Sequence, residues 1–387
     1  MDFPPLIAVL AAVMNVLTGD NLIAIHVIPA LAGACLVFVT GLMARELGGG
    51  RFAQLLAALG AMVTVVFMAT ASIFSMDILD ALWWALGAYL IIRLIKREQP
   101  RLWLLFGLVV GIALMTKLTV GFLGFAVAVG LLLSPSTRRY YRERWLWLGA
   151  AIAAAFLLPY ALWNAANSWP TVEFWRHYGG LSGGGPLGFL VNQLLAINVF
   201  NLPLVVAGLL FYFRTPAGKP YRALGWTYVV LYALFTVMNA KSYFLAPAYP
   251  MLYAGGALVI EQAIQRRGWA WVRPSYVAAL VISGLFFAPV AMPLLPPATY
   301  VSHYAFLTST GNGGAGQQTA AQFPQYLGDR FGWDTMTATV AGVYCQSARG
   351  GARAGLHLHD QLRRSERHQL SRRAAPPAAR DQRPQQL

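Results

Sequence analysis

Asp77 and Asp80 are two carboxylates three residues apart at the start of a predicted apolar helix. At this spacing, both side chains occupy neighbouring positions on one helix face. A carboxylate in a cavity can deprotonate a hydroxyl group, so we predict catalytic roles for both residues. A structural alternative stays open, in which Asp77 caps the helix and Asp80 is a satisfied polar residue between helices.

Two lysines stand alone in apolar sequence. A charged side chain within a membrane costs about 2.5–3.5 kcal/mol, so it is usually paired or functional. Lys117 lies in Met-Thr-Lys-Leu-Thr, and it either supports a site or snorkels to the membrane surface. Lys241 is followed by Ser242, Tyr243 and two prolines. Broken backbone is tolerated in a membrane only against protein or a wet cavity. Lysine binds phosphate as a point charge, so we predict that Lys117, Lys241 and Tyr243 bind a phosphate group.

Arg176 is a third isolated cation, in the segment Glu-Phe-Trp-Arg-His-Tyr of a long predicted loop. Its guanidinium could contact the same anionic ligand. Pairing with Glu173 at the rim of the site is an equally good reading. Arg176 is therefore a candidate phosphate ligand with a structural alternative.

The elements that position these residues are membrane helices. The 387 residues are 58% hydrophobic and only 11% charged, which is more apolar surface than one soluble core can hide. We predict an all-α polytopic membrane protein with about ten helices. The predicted segments are 22–43, 53–72, 78–95, 102–117, 119–134, 145–163, 187–213, 223–239, 244–263 and 274–294.

Arginine and lysine cluster in alternate connections, near residues 45–51, 93–101, 138–144, 214–222 and 266–273. By the positive-inside rule these connections are cytoplasmic. The two carboxylates and the three isolated cations then belong to the outer side. The net charge of +15 is mainly this orientation signal, and no basic recognition helix suggests nucleic-acid binding.

Metal and nucleotide sites have no support in the sequence. Cys35 and Cys345 fall in regions of different predicted depth, and no Cys/His spacing suggests zinc. No phosphate-binding glycine loop follows a strand. We predict no metal ligands and no required cofactor, although a divalent ion near the carboxylates is not excluded by the residue types.

The ends of the chain differ in composition from the predicted membrane domain, 22–294. Residues 1–21 include a short apolar stretch, predicted to be an interfacial or re-entrant helix on the outer face. Residues 295–344 are predicted to begin an extracytoplasmic domain. Residues 345–387 are rich in Arg, Ala, Pro and Gln, which predicts a disordered basic tail, either a frameshifted terminus or a genuine flexible one.

Acids beside cations in an outward-facing membrane cavity suit sugar transfer from a lipid phosphate. A carboxylate can deprotonate the acceptor hydroxyl, while Lys, Arg or Tyr neutralises the departing phosphate. A secondary transporter is the main alternative. Transporters usually carry an internal repeat and charges near the midplane, whereas this chain has no evident repeat and its charges fall at the outer rim. A non-catalytic scaffold would leave the acids and cations scattered.

Four sequence blocks, at 74–84, 111–119, 158–171 and 240–251, resemble bacterial family 39 glycosyltransferases. These are GT-C enzymes similar to protein O-mannosyltransferases and the lipid A aminoarabinose transferase. The resemblance implies a GT-C-like bundle in the bacterial inner membrane, a polyprenyl-phosphate sugar donor and inverting transfer at a periplasmic active site. It also implies that Asp77 and Asp80 line the sugar cavity, that Lys117 supports it, and that Lys241 and Tyr243 hold the lipid phosphate.

The chain departs from the family at its start. Family members carry an initial membrane helix and an acidic outer loop before the Pro-Pro-Leu that here is residues 4–6. We expect that helix and its acid to be missing, through either a late start codon or a fragmentary, inactive product. The sugar and the acceptor, whether glycan, lipid or protein, are not specified by the sequence.

Overall fold

The computed structural model describes residues 4–19, 21–178, 185–292, 294–296, 299–300 and 332–348. Within these residues, the regular structure is helical and contains no strand. Fifteen α-helices carry the fold of the described residues. In chain order, α1 to α15 are Leu6–Thr18, Leu22–Glu46, Arg51–Met62, Val65–Ala71, Met76–Arg97, Leu102–Leu114, Val120–Leu133, Arg144–Ala166, Pro170–Tyr178, Gly185–Ile197, Leu202–Arg214, Arg222–Val237, Tyr249–Arg267, Val272–Ala291 and Trp333–Ala348.

The chain divides into two compact units, Met1–Ala315 and Gly316–Leu387. The described part of the second unit is α15, which follows Gly332 at a φ of 81°. The predicted start of a basic tail at residue 345 falls inside this helix, and the tail beyond residue 348 lies outside the described residues. The other helices belong to the first unit.

Five helical segments among the described residues are long and apolar enough to cross a membrane, and two bent pairs raise this number to seven. Each of the ten predicted segments contains a helix. However, α6, α7 and α12 have only 13, 14 and 16 residues, below the roughly 17–25 that span a bilayer. The all-α, multi-pass membrane fold predicted from the sequence is confirmed.

The short length of α6 affects how deep in the membrane the turn that follows it lies. At about 1.5 Å per residue, its 13 residues rise only about 20 Å, less than the roughly 30 Å of hydrocarbon. If Arg101 at its start lies at one boundary, the turn after Leu114 ends short of the other. This turn carries Lys117.

Two predicted single helices are broken. The segment 53–72 forms α3 and α4, which bend by 64° at Val63–Thr64, and 187–213 forms α10 and α11, which bend by 93°. Hydropathy does not register a bend, because both arms of each broken helix are apolar. A short 3-10 turn, Val199–Asn201, fills the second break.

Buried asparagines satisfy the backbone at both breaks. Asn201 Nδ2 donates to the carbonyls of Ile197 at 2.7 Å and Gly60 at 2.9 Å. Asn198, at a φ of 68°, donates to the carbonyl of Val63 at 3.3 Å. Carbonyls released by a bend need new donors in an apolar environment. The second break therefore supplies donors to the first, and the two breaks lie against each other.

Close helix packing uses glycine. A Cβ at Gly107 of α6 would collide with the backbone of Gly149 in α8, and a Cβ at Gly208 of α11 would collide with the backbone of Leu252 in α13. Small residues let membrane helices approach closely, which compensates for the weak hydrophobic drive between helices in lipid. These contacts join α6 to α8 and α11 to α13, while α5 packs mainly against α2 and α6 and fully buries Trp84.

The arginine-rich connections meet at one end of α5. Lys96 Nζ and Arg97 Nη2 lie 3.1 and 3.6 Å from the Glu46 carboxylate, and Arg139 Nη2 lies 2.8 Å from Glu98 Oε1. Three connections predicted on the same side of the membrane therefore lie together. Asp77 is about 29 Å away along the helix, at the opposite end of α5.

Candidate active site

The first turn of α5 fixes the position of Asp77. Ser75 is the N-cap residue, and its Oγ accepts a hydrogen bond from the Asp77 N–H at 3.3 Å. The same hydroxyl donates to Asp77 Oδ2 at 3.3 Å. A carboxylate in this turn also favours the helix dipole. Ser75, rather than Asp77, is thus the cap, and the other oxygen of Asp77 is directed elsewhere.

The turn between α6 and α7 carries Lys117 and is fastened on two sides. The indole Nε1 of Trp83 donates to Thr116 Oγ1 at 3.1 Å, which ties the turn to α5. The N–H of Leu6, at the start of α1, donates to the carbonyl of Met115 at 2.9 Å. Lys117 therefore projects from a turn held by two neighbouring helices.

Lys117 and the two aspartates form a buried ion cluster. Lys117 Nζ lies 2.6 Å from Asp77 Oδ1 and 3.8 Å from Asp80 Oδ2. Thr119 Oγ1 donates to Asp80 Oδ2 at 2.8 Å. The side chains of Lys117, Asp77 and Asp80 are 12%, 28% and 2% exposed. Since buried ions lose hydration, the cluster survives only through this mutual compensation.

Two aromatic rings cover the ammonium of Lys117. The nitrogen is 5.2 Å from the ring centroid of Tyr243 and 4.8 Å from that of Phe244, within cation–π range. Both rings belong to the 3-10 helix Ser242–Ala248, which precedes α13. Gln193 of α10 donates to the carbonyl of Ser242 at 2.8 Å and holds this segment in place.

A narrow, partly open pocket lies at the cluster. The short helix α4, beyond the first helix break, provides three of its lining residues. The break therefore brings apolar side chains against the charged groups. The lining residues are Val66, Phe67, Thr70, Asp77, Asp80, Ala81, Lys117, Tyr243, Ala246 and Pro247.

Four of the predicted site residues share this pocket: Asp77, Asp80, Lys117 and Tyr243. Lys117 is paired and largely buried, so it does not snorkel to the surface. Lys241 is exposed, two residues from Tyr243, and its side chain does not line the pocket.

Arg176 is also exposed, on α9, and it is not among the pocket residues. The structure therefore brings together four of the six residues predicted to form the site. The functional roles of all six residues stay predictions.

The sequence reasoning missed the neutral partners of the cluster. Thr119 bonds to Asp80, and Thr116 bonds to Trp83. The signal was present in the block Met-Thr-Lys-Leu-Thr, in which two hydroxyls flank the lysine. Within the described part of the chain, no group of three or more His, Cys, Asp or Glu side chains is placed to hold a metal ion.

Residues 2–163 match the family model described as dolichyl-phosphate-mannose-protein mannosyltransferase. The chain is also similar to lipid A galacturonosyltransferase RgtD of Rhizobium johnstonii. The two are 26% identical over 290 residues, which cover 72% of this chain and 55% of RgtD. The chain thus spans about half the length of this curated relative.

Solved structures show the same fold. ArnT from Cupriavidus metallidurans in the apo state matches with a TM-score of 0.59 and 18% identity, covering 79% of this chain and 59% of ArnT. ArnT bound to undecaprenyl phosphate matches with a TM-score of 0.56 and 18% identity, covering 80% and 63%. An Archaeoglobus fulgidus oligosaccharyltransferase matches with a TM-score of 0.52 and 14% identity, covering 82% and 48%.

These matches agree with the resemblance indicated by the sequence blocks and with the helical fold of the described residues. The resemblance to GT-C glycosyltransferases that the sequence indicated is confirmed, and the chain shares the helical membrane fold of ArnT.

Proposed function

We propose that this protein transfers a sugar from a polyprenyl-phosphate donor to an acceptor hydroxyl at the extracytoplasmic face of the bacterial inner membrane. The observation that carries this proposal is the buried ammonium of Lys117, held between Asp77 and Asp80 in a pocket beside Tyr243. Buried charges in membrane helices are costly and usually mark a ligand site.

The proposed transfer is a single displacement. The acceptor oxygen bonds to the anomeric carbon of the sugar as the bond between that carbon and the phosphate oxygen breaks. The bonding electrons leave with the phosphate, and a carboxylate of the pair Asp77 and Asp80 takes the acceptor proton. Lys117, Lys241 and Tyr243 stabilise the charge on the leaving phosphate, with Arg176 as a further candidate. The configuration at the anomeric carbon inverts.

The depth of the site supports a lipid-linked donor. If Arg101 lies at the cytoplasmic boundary, the turn that carries Lys117 ends short of the opposite boundary, because α6 and α7 are short. A donor whose isoprenoid chain stays in the bilayer presents its phosphate near this level. ArnT has been solved with undecaprenyl phosphate bound, and RgtD is named as a lipid A galacturonosyltransferase. The undecaprenyl phosphate bound to ArnT supports a polyprenyl-linked donor, while the sugar and acceptor are left unassigned.

The secondary-transporter alternative is less well supported. It predicts charges near the bilayer midplane. In the described residues the cluster instead joins helix ends: the first turns of α5, the turn between α6 and α7, and the 3-10 helix before α13. This placement favours a site that opens at one membrane face.

Reconstitution tests the function. The full 387-residue chain, and the same chain extended by its upstream codons, would be placed in liposomes with undecaprenyl phosphate carrying a hexose or a pentose. A glycan, a lipid or a protein with free hydroxyl groups would be added in turn as the acceptor. Release of undecaprenyl phosphate with transfer of the sugar supports the proposal. Glu98→Gln is the matched control, because Glu98 is exposed and distant from the pocket. No release by either chain with any donor would contradict it.

Labelling tests the orientation. In a background with Cys35 and Cys345 replaced by Ser, Lys241→Cys is expected to react with a membrane-impermeant maleimide added outside. Arg139→Cys is expected to react only after the membrane is opened. The reverse pattern would place the pocket on the cytoplasmic side and contradict the proposed location.

A further inference from the structure

The two aspartates of the pocket differ in how their oxygens are used. Asp77 has both oxygens engaged, since Oδ1 pairs with Lys117 Nζ at 2.6 Å and Oδ2 accepts from Ser75 Oγ at 3.3 Å. Its side chain is 28% exposed. Asp77 therefore acts as the principal counter-ion of Lys117 when the pocket holds no ligand.

Asp80 has one oxygen engaged and one open. Oδ2 accepts from Thr119 at 2.8 Å and lies 3.8 Å from Lys117 Nζ. Oδ1 is buried and has no hydrogen-bond donor, although the side chain is only 2% exposed and the residue lines the pocket. The indole N–H of Trp84 lies near this carboxylate but makes no hydrogen bond of acceptable geometry.

Asp80 Oδ1 lacks the hydrogen-bond donor that a buried carboxylate oxygen normally has. Buried polar atoms are nearly always hydrogen-bonded, and an unpaired one costs free energy. An ionised carboxylate can only accept, so the missing partner must donate a hydrogen. A phosphate diester has no hydrogen to donate at neutral pH, whereas every sugar hydroxyl has one. The open oxygen therefore fits the sugar part of a ligand rather than its phosphate.

The charges in the pocket also indicate which part of the donor approaches which aspartate. With both carboxylates ionised, two negative charges face the one positive charge of Lys117. A phosphate that approaches Lys117 meets an ammonium already paired with Asp77 at 2.6 Å. Like charges at this separation repel strongly in a site of low dielectric. The phosphate must therefore compete with Asp77 for Lys117.

We propose that the two aspartates have opposite effects on ligand binding: Asp77 is a resident anion that competes with phosphate for Lys117, and Asp80 Oδ1 accepts a hydrogen bond from a sugar hydroxyl of the donor. This inference rests on the proposed function. It assigns different parts of the donor to two residues that sequence reasoning treated alike.

Binding measurements separate the two roles without requiring turnover. The full chain in nanodiscs would be titrated with undecaprenyl phosphate and with undecaprenyl phosphate carrying a hexose or a pentose. Asp77→Asn is expected to bind undecaprenyl phosphate about tenfold more tightly, because the competing charge is removed. Lys117 keeps Asp80 as a partner in this variant, so its charge stays compensated.

Asp80→Asn removes a negative charge 3.8 Å from Lys117 Nζ, so this variant should bind undecaprenyl phosphate at least as tightly as the unaltered protein does. Its affinity for the glycosylated lipid should fall about tenfold, because the charge-assisted hydrogen bond to the sugar is lost. Glu98→Gln is the matched control and should leave both affinities unchanged. Should Asp80→Asn fail to fold, Asp80→Glu replaces it, since the longer side chain moves the oxygen while the charge remains.

Three results would overturn the inference. The first is equal weakening of both lipids by Asp80→Asn, and the second is weaker phosphate binding by Asp77→Asn. The third is an unaltered protein that binds no glycosylated lipid more tightly than undecaprenyl phosphate. If the unaltered protein binds undecaprenyl phosphate no better than a bulk phospholipid, the proposed function fails as well, which distinguishes the two failures.

Discussion

One helix, α5, carries an ion cluster at each end, and the two clusters are built differently. At its last turn, Lys96 and Arg97 pair with Glu46, and their side chains are 44% and 46% exposed. At its first turns, Asp77 and Asp80 pair with Lys117, which is 12% exposed. Both clusters match the helix dipole, with acids at the N-terminus and bases at the C-terminus.

The two clusters differ in hydration and therefore in the free energy lost when one partner is removed. Ion pairs in water contribute about 0–1 kcal/mol, because solvent screens them and compensates either partner that is removed. A buried pair that loses one partner leaves an uncompensated charge, at a cost of about 3–5 kcal/mol. The Lys117 cluster is thus expensive to maintain and lines a pocket, whereas in the other cluster the two basic side chains are solvated and Glu46 is 15% exposed.

Lys117→Met should have the largest effect. It leaves Asp80 buried without a cation, so we expect the free energy of unfolding to fall by about 3–5 kcal/mol and sugar transfer to be lost. Thermal unfolding in detergent and the liposome assay measure the two effects. Lys117→Arg, which keeps the charge, should retain most of the stability. Equal stability of Lys117→Met and the unaltered protein would contradict the cost assigned to this cluster.

Thr119→Val should have the next largest effect. The substitution keeps the shape of the side chain and removes the hydrogen bond to the Asp80 carboxylate, at about 1.5–3 kcal/mol. Thr116→Val is its partner in the same turn, and it removes a neutral bond to Trp83 worth about 0.5–1.5 kcal/mol. Comparison of the two melting temperatures isolates the contribution of charge. A greater loss in Thr116→Val would show that Asp80 is uncharged.

Tyr243→Phe should affect activity more than folding. The ring that covers Lys117 at 5.2 Å is kept, so stability should change by less than about 1 kcal/mol. Loss of the hydroxyl should reduce the transfer rate about tenfold if it donates to the departing phosphate. The rate of polyprenyl-phosphate release measures this effect. An unchanged rate would remove Tyr243 from the predicted phosphate site.

Glu46→Gln should have the smallest effect. It removes the acid shared by Lys96 and Arg97, both of which retain water, so we expect a loss below about 1 kcal/mol and unchanged transfer. Raising the salt concentration should reduce even this difference. A large loss of stability would mean that the two ends of α5 are energetically alike.

Residue spacing predicted much of the pocket. Three-residue spacing placed Asp77 and Asp80 on one helix face, and the isolation of Lys117 in apolar sequence marked it as a charge in need of a partner. The predicted phosphate-binding role of Lys241 stays a prediction, and its exposed side chain was not foreseen from the sequence. The residue type identified Lys241 as a cation. It did not predict where the side chain lies, which depends on the 3-10 helix Ser242–Ala248 that follows.

The helix breaks were beyond this reasoning. Asn198 and Asn201 interrupt the apolar segment 187–213, and they were the available signal for a bend. Hydropathy averages over such residues, and the bend is stabilised by Gly60 and Val63, which are distant in sequence. The break in turn places α4 against the pocket. Long-range contacts of this kind leave no local pattern from which the pocket wall could be predicted.

The Gln193 amide gives the pocket a mechanical link to the rest of the bundle. Its nitrogen donates to the carbonyl of Ser242, the residue before Tyr243, and its oxygen accepts from the Tyr249 hydroxyl at 3.0 Å. A ligand that displaces the Tyr243 ring must therefore lengthen these hydrogen bonds or move α10 together with the ring. The stiffness of the wall opposite Lys117 is consequently set by an uncharged side chain from a helix that lines no part of the pocket.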